Sequence, residues 1–162
     1  MPFRTTESEL RAFIEKEKYI VIPAEGLKPH SHREYADWAS DFYDANGVTI
    51  PGWFFRVLAN PPSEENCKEN YSIFKSYQGK KEPVARLDVA PSRKRTHKHS
   101  DGNVFHGTHL HELDTVSDVA LELECFDRDN RINWLNFMAK KYNFTIKDNT
   151  PSQQIGGWPW SA

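Results

Sequence analysis

Two segments in which apolar and polar side chains alternate decide the fold of this chain. The first reads Val84-Ala85-Arg86-Leu87-Asp88-Val89, and the second reads Val104-Phe105-His106-Gly107-Thr108-His109-Leu110-His111-Glu112-Leu113. Alternation is typical of a β-strand, whose successive side chains point to opposite faces of the sheet. Each segment therefore predicts a strand. Arg86 and Asp88 share one face of the first, and His109 and His111 share one face of the second.

Further strands and three helices are predicted around these two segments. The strands are expected at residues 19–22, 53–58, 71–77 and 119–126. One helix follows the capping-box pattern of Thr6 and Glu9 and covers residues 7–18, and a closing helix is capped by Asp127 or Asp129. Another helix is predicted between Ser31 and Gly47 from a stripe of apolar residues at helical spacing: Tyr35, Trp38, Ala39, Phe42 and Tyr43.

The order of these elements predicts the fold class. Helices at both ends and a run of strands between them indicate an α+β fold, in which an antiparallel sheet of about five strands carries helices packed on one face. The 162 residues are expected to form a single domain,. Its parts are an N-terminal helical portion (1–50), a sheet plus closing helix (51–146) and a C-terminal tail (147–162). The tail contains Trp158-Pro159-Trp160 and is expected to dock back or to meet a partner.

Composition and charge argue against a membrane-spanning protein and against nucleic-acid binding through overall positive charge. The formal net charge is -2, so nucleic-acid binding would have to come from a local patch of positive charge,. No run of apolar residues is long enough to span a bilayer, and the N-terminus lacks the apolar stretch of a signal peptide. We therefore expect a cytoplasmic protein with no membrane partner.

Histidines and cations are concentrated near the two alternating segments. Five of the seven histidines lie between residues 97 and 111. Histidine titrates near neutral pH and ligates metals, so this cluster indicates a functional site. The loop between the segments adds a group of predicted phosphate-binding residues: Arg93, Lys94, Arg95, Lys98 and His99,.

The predicted chemistry is acid–base catalysis on a phosphodiester. If the two strands are neighbours, one face of the sheet displays Arg86, Asp88 and both histidines. His109 and His111 would take and give protons, Asp88 would fix the tautomer of an imidazole, and Arg86 would hold the phosphate. Arg86 and Asp88 could equally form a structural ion pair.

The same residues allow a metal site as an alternative. A His-x-His pair on one strand face is a common pair of ligands, and Asp88, Asp101 or Glu112 could complete the set. The sequence fixes no further ligand on the face of the two histidines. We therefore expect a site that works without a metal or other cofactor.

The segment from Arg86 to about Phe144 resembles a group of small bacterial domains of unknown function. The matching pattern is Arg86 and Asp88, then His99 with Asp101-Gly102, then His109-Leu110-His111, then a helix through Trp134 and Leu135. These domains are distantly similar to the small growth-inhibiting toxins of toxin–antitoxin pairs. The resemblance covers about a third of the chain and implies a role linked to mobile elements or defence.

The sequence thus favours a nucleic-acid-directed phosphodiesterase, a ribonuclease of toxin type, with RNA or another nucleic acid as its partner and an antitoxin as a candidate protein partner. One alternative is a non-catalytic phage or mobile-element inhibitor that binds and blocks a host defence nuclease. It would use the acidic stretch from Glu112 to Asp129, which holds seven acids against one arginine. A histidine-ligated metal enzyme is a further alternative.

Overall fold

The computed structural model describes residues 3–29, 35–60, 68–90, 95–98, 104–119 and 130–148, with the backbone alone at residues 29, 95–98, 104–106 and 130. These residues form helices α1 (Glu7–Glu15) and α2 (Asn130–Tyr142). The strands are β1 (Lys18–Ile22), β2 (Lys28–Pro29), β3 (Ala36–Asp44), β4 (Thr49–Ala59), β5 (Glu69–Tyr77), β6 (Lys80–Val89), β7 (Arg95–Lys98), β8 (Val104–His106), β9 (His109–Glu112), β10 (Thr115–Asp118) and β11 (Thr145–Asp148).

Nine of the described strands form one mixed sheet. Eight of them follow the order β10-β9-β6-β5-β4-β3-β1-β11, and β2 pairs with β3 beside this path. The strands β1 and β11 are parallel, whereas the other pairs in the sheet are antiparallel. The strands β7 and β8 form a separate two-stranded sheet.

The predicted fold class is therefore wrong. The described residues are mostly sheet: nine strands form a mixed main sheet beside two helices, rather than an antiparallel sheet of about five strands. Most of the error comes from the N-terminal portion (1–50), which was expected to be helical. It contains α1 and the predicted strand β1, but also β2, β3 and the start of β4, which were not predicted.

The predicted helix between Ser31 and Gly47 is replaced in its described part by strand β3. Trp38 and Phe42 are four residues apart, a spacing that places two side chains on one face of a helix and also on one face of a strand. Burial shows which period applies, because Ala36, Trp38, Ser40 and Phe42 are buried at every second position. Gly47, the predicted helix stop, instead lies in the turn to β4 with a φ of 81°.

The predicted histidine strand 104–113 is divided into two strands. Gly107 has a φ of 70°, in the left-handed region that glycine adopts readily, and it separates β8 from β9,. Only β9 belongs to the main sheet. The predicted strand 119–126 begins at Val119, which is not in a strand, and its remaining residues lie outside the described part of the chain, as does the tail from residue 149.

Both described helices contact the same face of the main sheet. Phe13 of α1 stacks on Trp53 with ring centroids 3.9 Å apart. In α2, Arg131 donates from Nε to Glu69 of β5 at 2.9 Å, and Tyr142 donates to Glu112 of β9 at 2.8 Å. Neither helix is long and apolar enough to cross a membrane.

The core lies between this face and the helices. In β6, Val84, Ala85, Leu87 and Val89 are buried among core residues, whereas Arg86 and Asp88 are only partly buried. Because side chains alternate along a strand, Arg86 and Asp88 point away from the helices. The candidate site therefore lies on the sheet face opposite α1 and α2.

Candidate active site

The pairing of β6 with β9 brings the four predicted catalytic residues together. The two strands are antiparallel neighbours, with Arg86 aligned with His111 and Asp88 aligned with His109. Residues aligned across a strand pair lie on the same face of the sheet. The structure thus places all four side chains on one face, as the alternation predicts; their catalytic roles remain predictions.

Asp88 is the centre of this cluster. Its Oδ1 accepts from Arg86 Nε at 2.7 Å, and its Oδ2 accepts from Arg86 Nη2 at 3.0 Å. The same Oδ2 lies 3.4 Å from His109 Nε2 and 3.3 Å from His111 Nε2. The two imidazole rings meet edge to face with centroids 4.8 Å apart. We call Asp88, His109 and His111 the Asp-His-His centre.

Partial burial makes the charges of this centre interdependent. Burial alone would raise the pKa of Asp88, but hydrogen bonds from His109, His111 and Arg86 outweigh it and hold that pKa well below its usual value,. Burial would likewise lower the pKa of His109, but the bonds to Asp88 and to the Gly107 carbonyl outweigh it and raise that pKa. The centre therefore stabilises the ionised form of Asp88 and the protonated form of His109.

His109 has both ring nitrogens engaged. Its Nδ1 lies 3.1 Å from the carbonyl oxygen of Gly107, and since a carbonyl only accepts, Nδ1 must carry a proton,. Its Nε2 faces Asp88, and the side chain is only 3% exposed. This geometry suits a holding role better than proton exchange with a substrate.

The more accessible side of the centre belongs to Arg86 and His111. Their side chains are 38% and 21% exposed, respectively. A ligand approaching this face of the sheet would meet these two groups before Asp88, which is 17% exposed, or His109. Arg86 can therefore contact an anion while it holds the carboxylate.

The Asp-His-His centre could also hold a metal ion. One ligand atom from each of the three residues lies within 4.8 Å of the other two. Of the other ligands considered from the sequence, Glu112 is on the opposite face, where its Oε1 accepts from Tyr142. Asp101 lies outside the described residues.

The predicted phosphate-binding loop is described only in part. Arg93, Lys94 and His99 lie outside the described residues, and Arg95 and Lys98 are described by their backbone in β7. The chain leaves the centre at Val89, passes through the β7–β8 hairpin and returns to β9 at His109. At the base of this insertion, the Ala90 amide lies 3.4 Å from its acceptor, Thr108 Oγ1.

Two supporting residues could not be found from the sequence. Asn70 of β5 is aligned with Asp88, and its Nδ2 donates to Asp88 Oδ1 at 3.0 Å in the amide orientation that satisfies both of its ends. Gly107 contributes its carbonyl to His109. Asn70 could be recognised only from the β5–β6 register. The Gly107 carbonyl could not be recognised, because a pattern of side chains does not indicate which backbone carbonyl accepts a hydrogen bond.

Comparisons of the chain with protein-family models, with curated proteins and with solved structures find no match.

Proposed function

We propose that this protein is a phosphodiesterase that acts on nucleic acid, a ribonuclease of toxin type, with its active site at Arg86 and the Asp-His-His centre. One observation carries the proposal: an arginine and two histidines converge on a single carboxylate on the partly exposed face of the sheet. Positive charge for a phosphate and groups that can activate a hydroxyl are thereby adjacent.

Each part of the site has a distinct role in the proposed reaction. Arg86 offers the phosphate the guanidinium edge that Asp88 does not occupy, while His111 lies at the accessible side of the centre,. A hydroxyl oxygen attacks phosphorus, and the bond from phosphorus to the leaving oxygen breaks. A base of the centre takes the proton of the attacking hydroxyl, and the protonated base gives a proton to the leaving oxygen. Asp88 and His109 position His111 and the attacking group.

The chain path supports a nucleic acid as the substrate. The segment 93–98 contains Arg93, Lys94, Arg95 and Lys98 and is inserted between the two strands that build the site. Basic residues that contact successive phosphates supply the sequence-independent part of nucleic-acid affinity. A nucleic acid offers successive phosphates for these basic residues to contact, whereas a small phosphodiester does not.

The test is cleavage of end-labelled RNA by full-length protein and its variants. We expect His111→Ala to lose activity by about 100-fold or more while it keeps the circular dichroism spectrum of the fold. The matched control is Asp37→Asn, which alters a carboxylate paired with Arg56 on strands β3 and β4 of the same sheet face. Absence of cleavage by the parent protein, or equal activity of the two variants, would overturn the proposal.

A second variant tests the nucleic-acid partner separately. Replacing Arg93, Lys94, Arg95 and Lys98 by Ser should weaken RNA binding and flatten its dependence on salt. The reason is that a protein with fewer phosphate contacts releases fewer counterions when it binds. The readout is fluorescence anisotropy at several salt concentrations. If the affinity and its dependence on salt concentration are unchanged, nucleic acid binds to another surface of the protein.

A further inference from the structure

We infer that the Asp-His-His centre binds one divalent transition-metal ion, with zinc the best fit, through Asp88 Oδ2 and the Nε2 atoms of His109 and His111. This is the alternative to the metal-free site expected from the sequence. Its catalytic consequence rests on the proposed function, because the ion would be the cofactor of that site. Metal binding itself can be measured without any substrate.

The distances within the centre match those between the ligands of one metal ion. The two imidazole nitrogens lie 3.4 and 3.3 Å from Asp88 Oδ2, so their hydrogen bonds to it are longer than the typical charge-assisted length of about 2.7–2.9 Å,. Zinc bonds of about 2.0–2.1 Å at tetrahedral angles place neighbouring ligand atoms about 3.3–3.4 Å apart. Two edges of the centre therefore already have the length that a shared ion requires.

The remaining edge, between the two imidazole nitrogens, is expected to shorten when an ion binds. All three ligand atoms lie within 4.8 Å of one another, whereas nitrogens bound to one zinc ion are separated by no more than about 4.1 Å,. The side chain of His111 is 21% exposed and that of His109 only 3%, so the His111 ring is the less enclosed of the two. We expect the ion to draw His111 towards the buried ring.

The orientation of His109 is the one that a metal-ligating histidine adopts. A ligating imidazole usually donates its other N–H to a carbonyl or carboxylate, which fixes the tautomer and aims the second nitrogen at the ion. His109 Nδ1 lies 3.1 Å from the Gly107 carbonyl oxygen, and Nε2 faces Asp88 and His111. The Nε2 lone pair is thereby presented to the centre when the ring is neutral.

The carboxylate is also held from outside the centre. Arg86 Nε donates to Asp88 Oδ1 at 2.7 Å, and Asn70 Nδ2 donates to the same oxygen at 3.0 Å. These bonds direct Oδ2 towards the imidazoles. Arg86 Nη2 also contacts Oδ2 at 3.0 Å, so its charge opposes the ion. The guanidinium is 38% exposed and can give up this contact while it keeps the bond from Nε.

The donor set indicates the kind of ion and its chemistry. Two imidazoles and one carboxylate suit zinc or another late divalent transition metal better than magnesium or calcium, which prefer oxygen ligands. Three protein ligands are the number found in catalytic zinc sites, which leave a further position for water or substrate. An ion in this position could lower the pKa of a bound water and polarise the phosphate beside Arg86.

The experiment is isothermal titration of chelator-stripped, full-length protein with zinc chloride, followed by measurement of zinc content after gel filtration. We expect one zinc ion per chain for the parent protein and for Asp37→Asn, and at least a 100-fold loss of affinity in His111→Ala. Asp88→Asn is the second variant, and circular dichroism verifies the fold of each. Binding that is absent, or unchanged in both centre variants, would overturn the inference, because other histidines would then account for it.

RNA cleavage with and without chelator separates this inference from the proposed function. Cleavage that survives exhaustive chelation would overturn the role of the ion in catalysis but would still support the proposed phosphodiesterase activity. Stoichiometric zinc lost on His111→Ala, without cleavage of RNA in the zinc-loaded protein, would support the metal site and overturn the phosphodiesterase. Cleavage that disappears on chelation and returns with zinc would support both.

Discussion

Two arginine–aspartate pairs lie on the same face of the sheet, and they differ in what surrounds the carboxylate. Arg56 of β4 donates from Nε to Asp37 of β3 at 2.9 Å, a pair between neighbouring strands. Arg86 and Asp88 make a similar contact within β6, but two imidazoles from β9 also face Asp88. We call the first the control pair and the second the site pair.

The comparison shows that an arginine beside an aspartate is not by itself evidence of function. Such a pair on a sheet is a partly exposed ion pair, and it contributes little to the free energy of unfolding. The site pair is distinguished by the strand next to it, whose histidines converge on the carboxylate within 3.4 Å. The control pair provides matched substitutions for each property proposed for the site pair.

The largest difference is expected for removal of the carboxylate charge. Asp88→Asn should reduce kcat/KM for RNA cleavage by about 100-fold or more, since it removes the group on which Arg86 and both imidazoles converge. Asp37→Asn should stay within about twofold of the parent protein. Single-turnover cleavage at subsaturating enzyme, where the observed rate divided by the enzyme concentration equals kcat/KM, gives the comparison. Equal losses in the two variants would show that the sheet face as a whole, rather than the site pair, supports activity.

A smaller difference is expected when each arginine is replaced by lysine. Arg86→Lys keeps the charge but loses the planar fork that holds Asp88, so activity or zinc affinity should fall by about 10-fold or more. Arg56→Lys, the corresponding change in the control pair, should alter neither quantity. Zinc titration and RNA cleavage on the same preparations provide the measurement. If Arg86→Lys retains full activity, the guanidinium neither orients the carboxylate nor binds the phosphate.

The dependence of stability on pH should distinguish the two pairs in metal-free protein. The lowered pKa of Asp88 means that the unfolded state binds more protons in acid, so its contribution is present above pH ~3.9 and is lost as pH falls towards the folded pKa,. The raised pKa of His109 contributes below pH ~6.5 and is lost as pH rises through its folded value,.

Urea unfolding in the presence of chelator, from acid to mildly alkaline pH, measures both limbs. We expect Asp88→Asn to flatten them, since the carboxylate is the shared partner of Arg86 and the imidazoles. Asp37→Asn should retain the contributions of Asp88 and His109. Parallel profiles for the parent protein and Asp88→Asn would contradict this coupling.

The smallest effect is expected for removal of the control pair itself. Arg56→Met should change the free energy of unfolding by no more than about 1 kcal/mol, because the side chains of Arg56 and Asp37 are 33% and 21% exposed and the methionine keeps much of the packing,. Denaturant unfolding is the measurement. A loss of about 3 kcal/mol or more would show that the control pair behaves as a buried ion pair and is a poor control.

Local patterns predict some elements of this fold well and others badly. The capping box gives the start of α1, where Thr6 Oγ1 accepts from the Glu9 amide at 3.1 Å. The same reasoning fails between Ser31 and Gly47, because the spacing of Trp38 and Phe42 satisfies both periods and the choice depends on pairing with β4. The parallel strand β11 also depends on pairing, because its four residues join the sheet only where β1 lies beside them. Local patterns therefore do not predict it.

The sequence by itself determined which side chains share a face within each strand: Arg86 with Asp88, and His109 with His111. That result is local, because it follows from the alternation of Cβ directions along an extended chain. Only the tertiary structure decided that β9 lies beside β6 in the register that aligns Asp88 with His109, and that Asn70 and the Gly107 carbonyl support them. Strand order and register are set by the burial of a whole sheet face against the helices, an energy summed over residues distant in the chain.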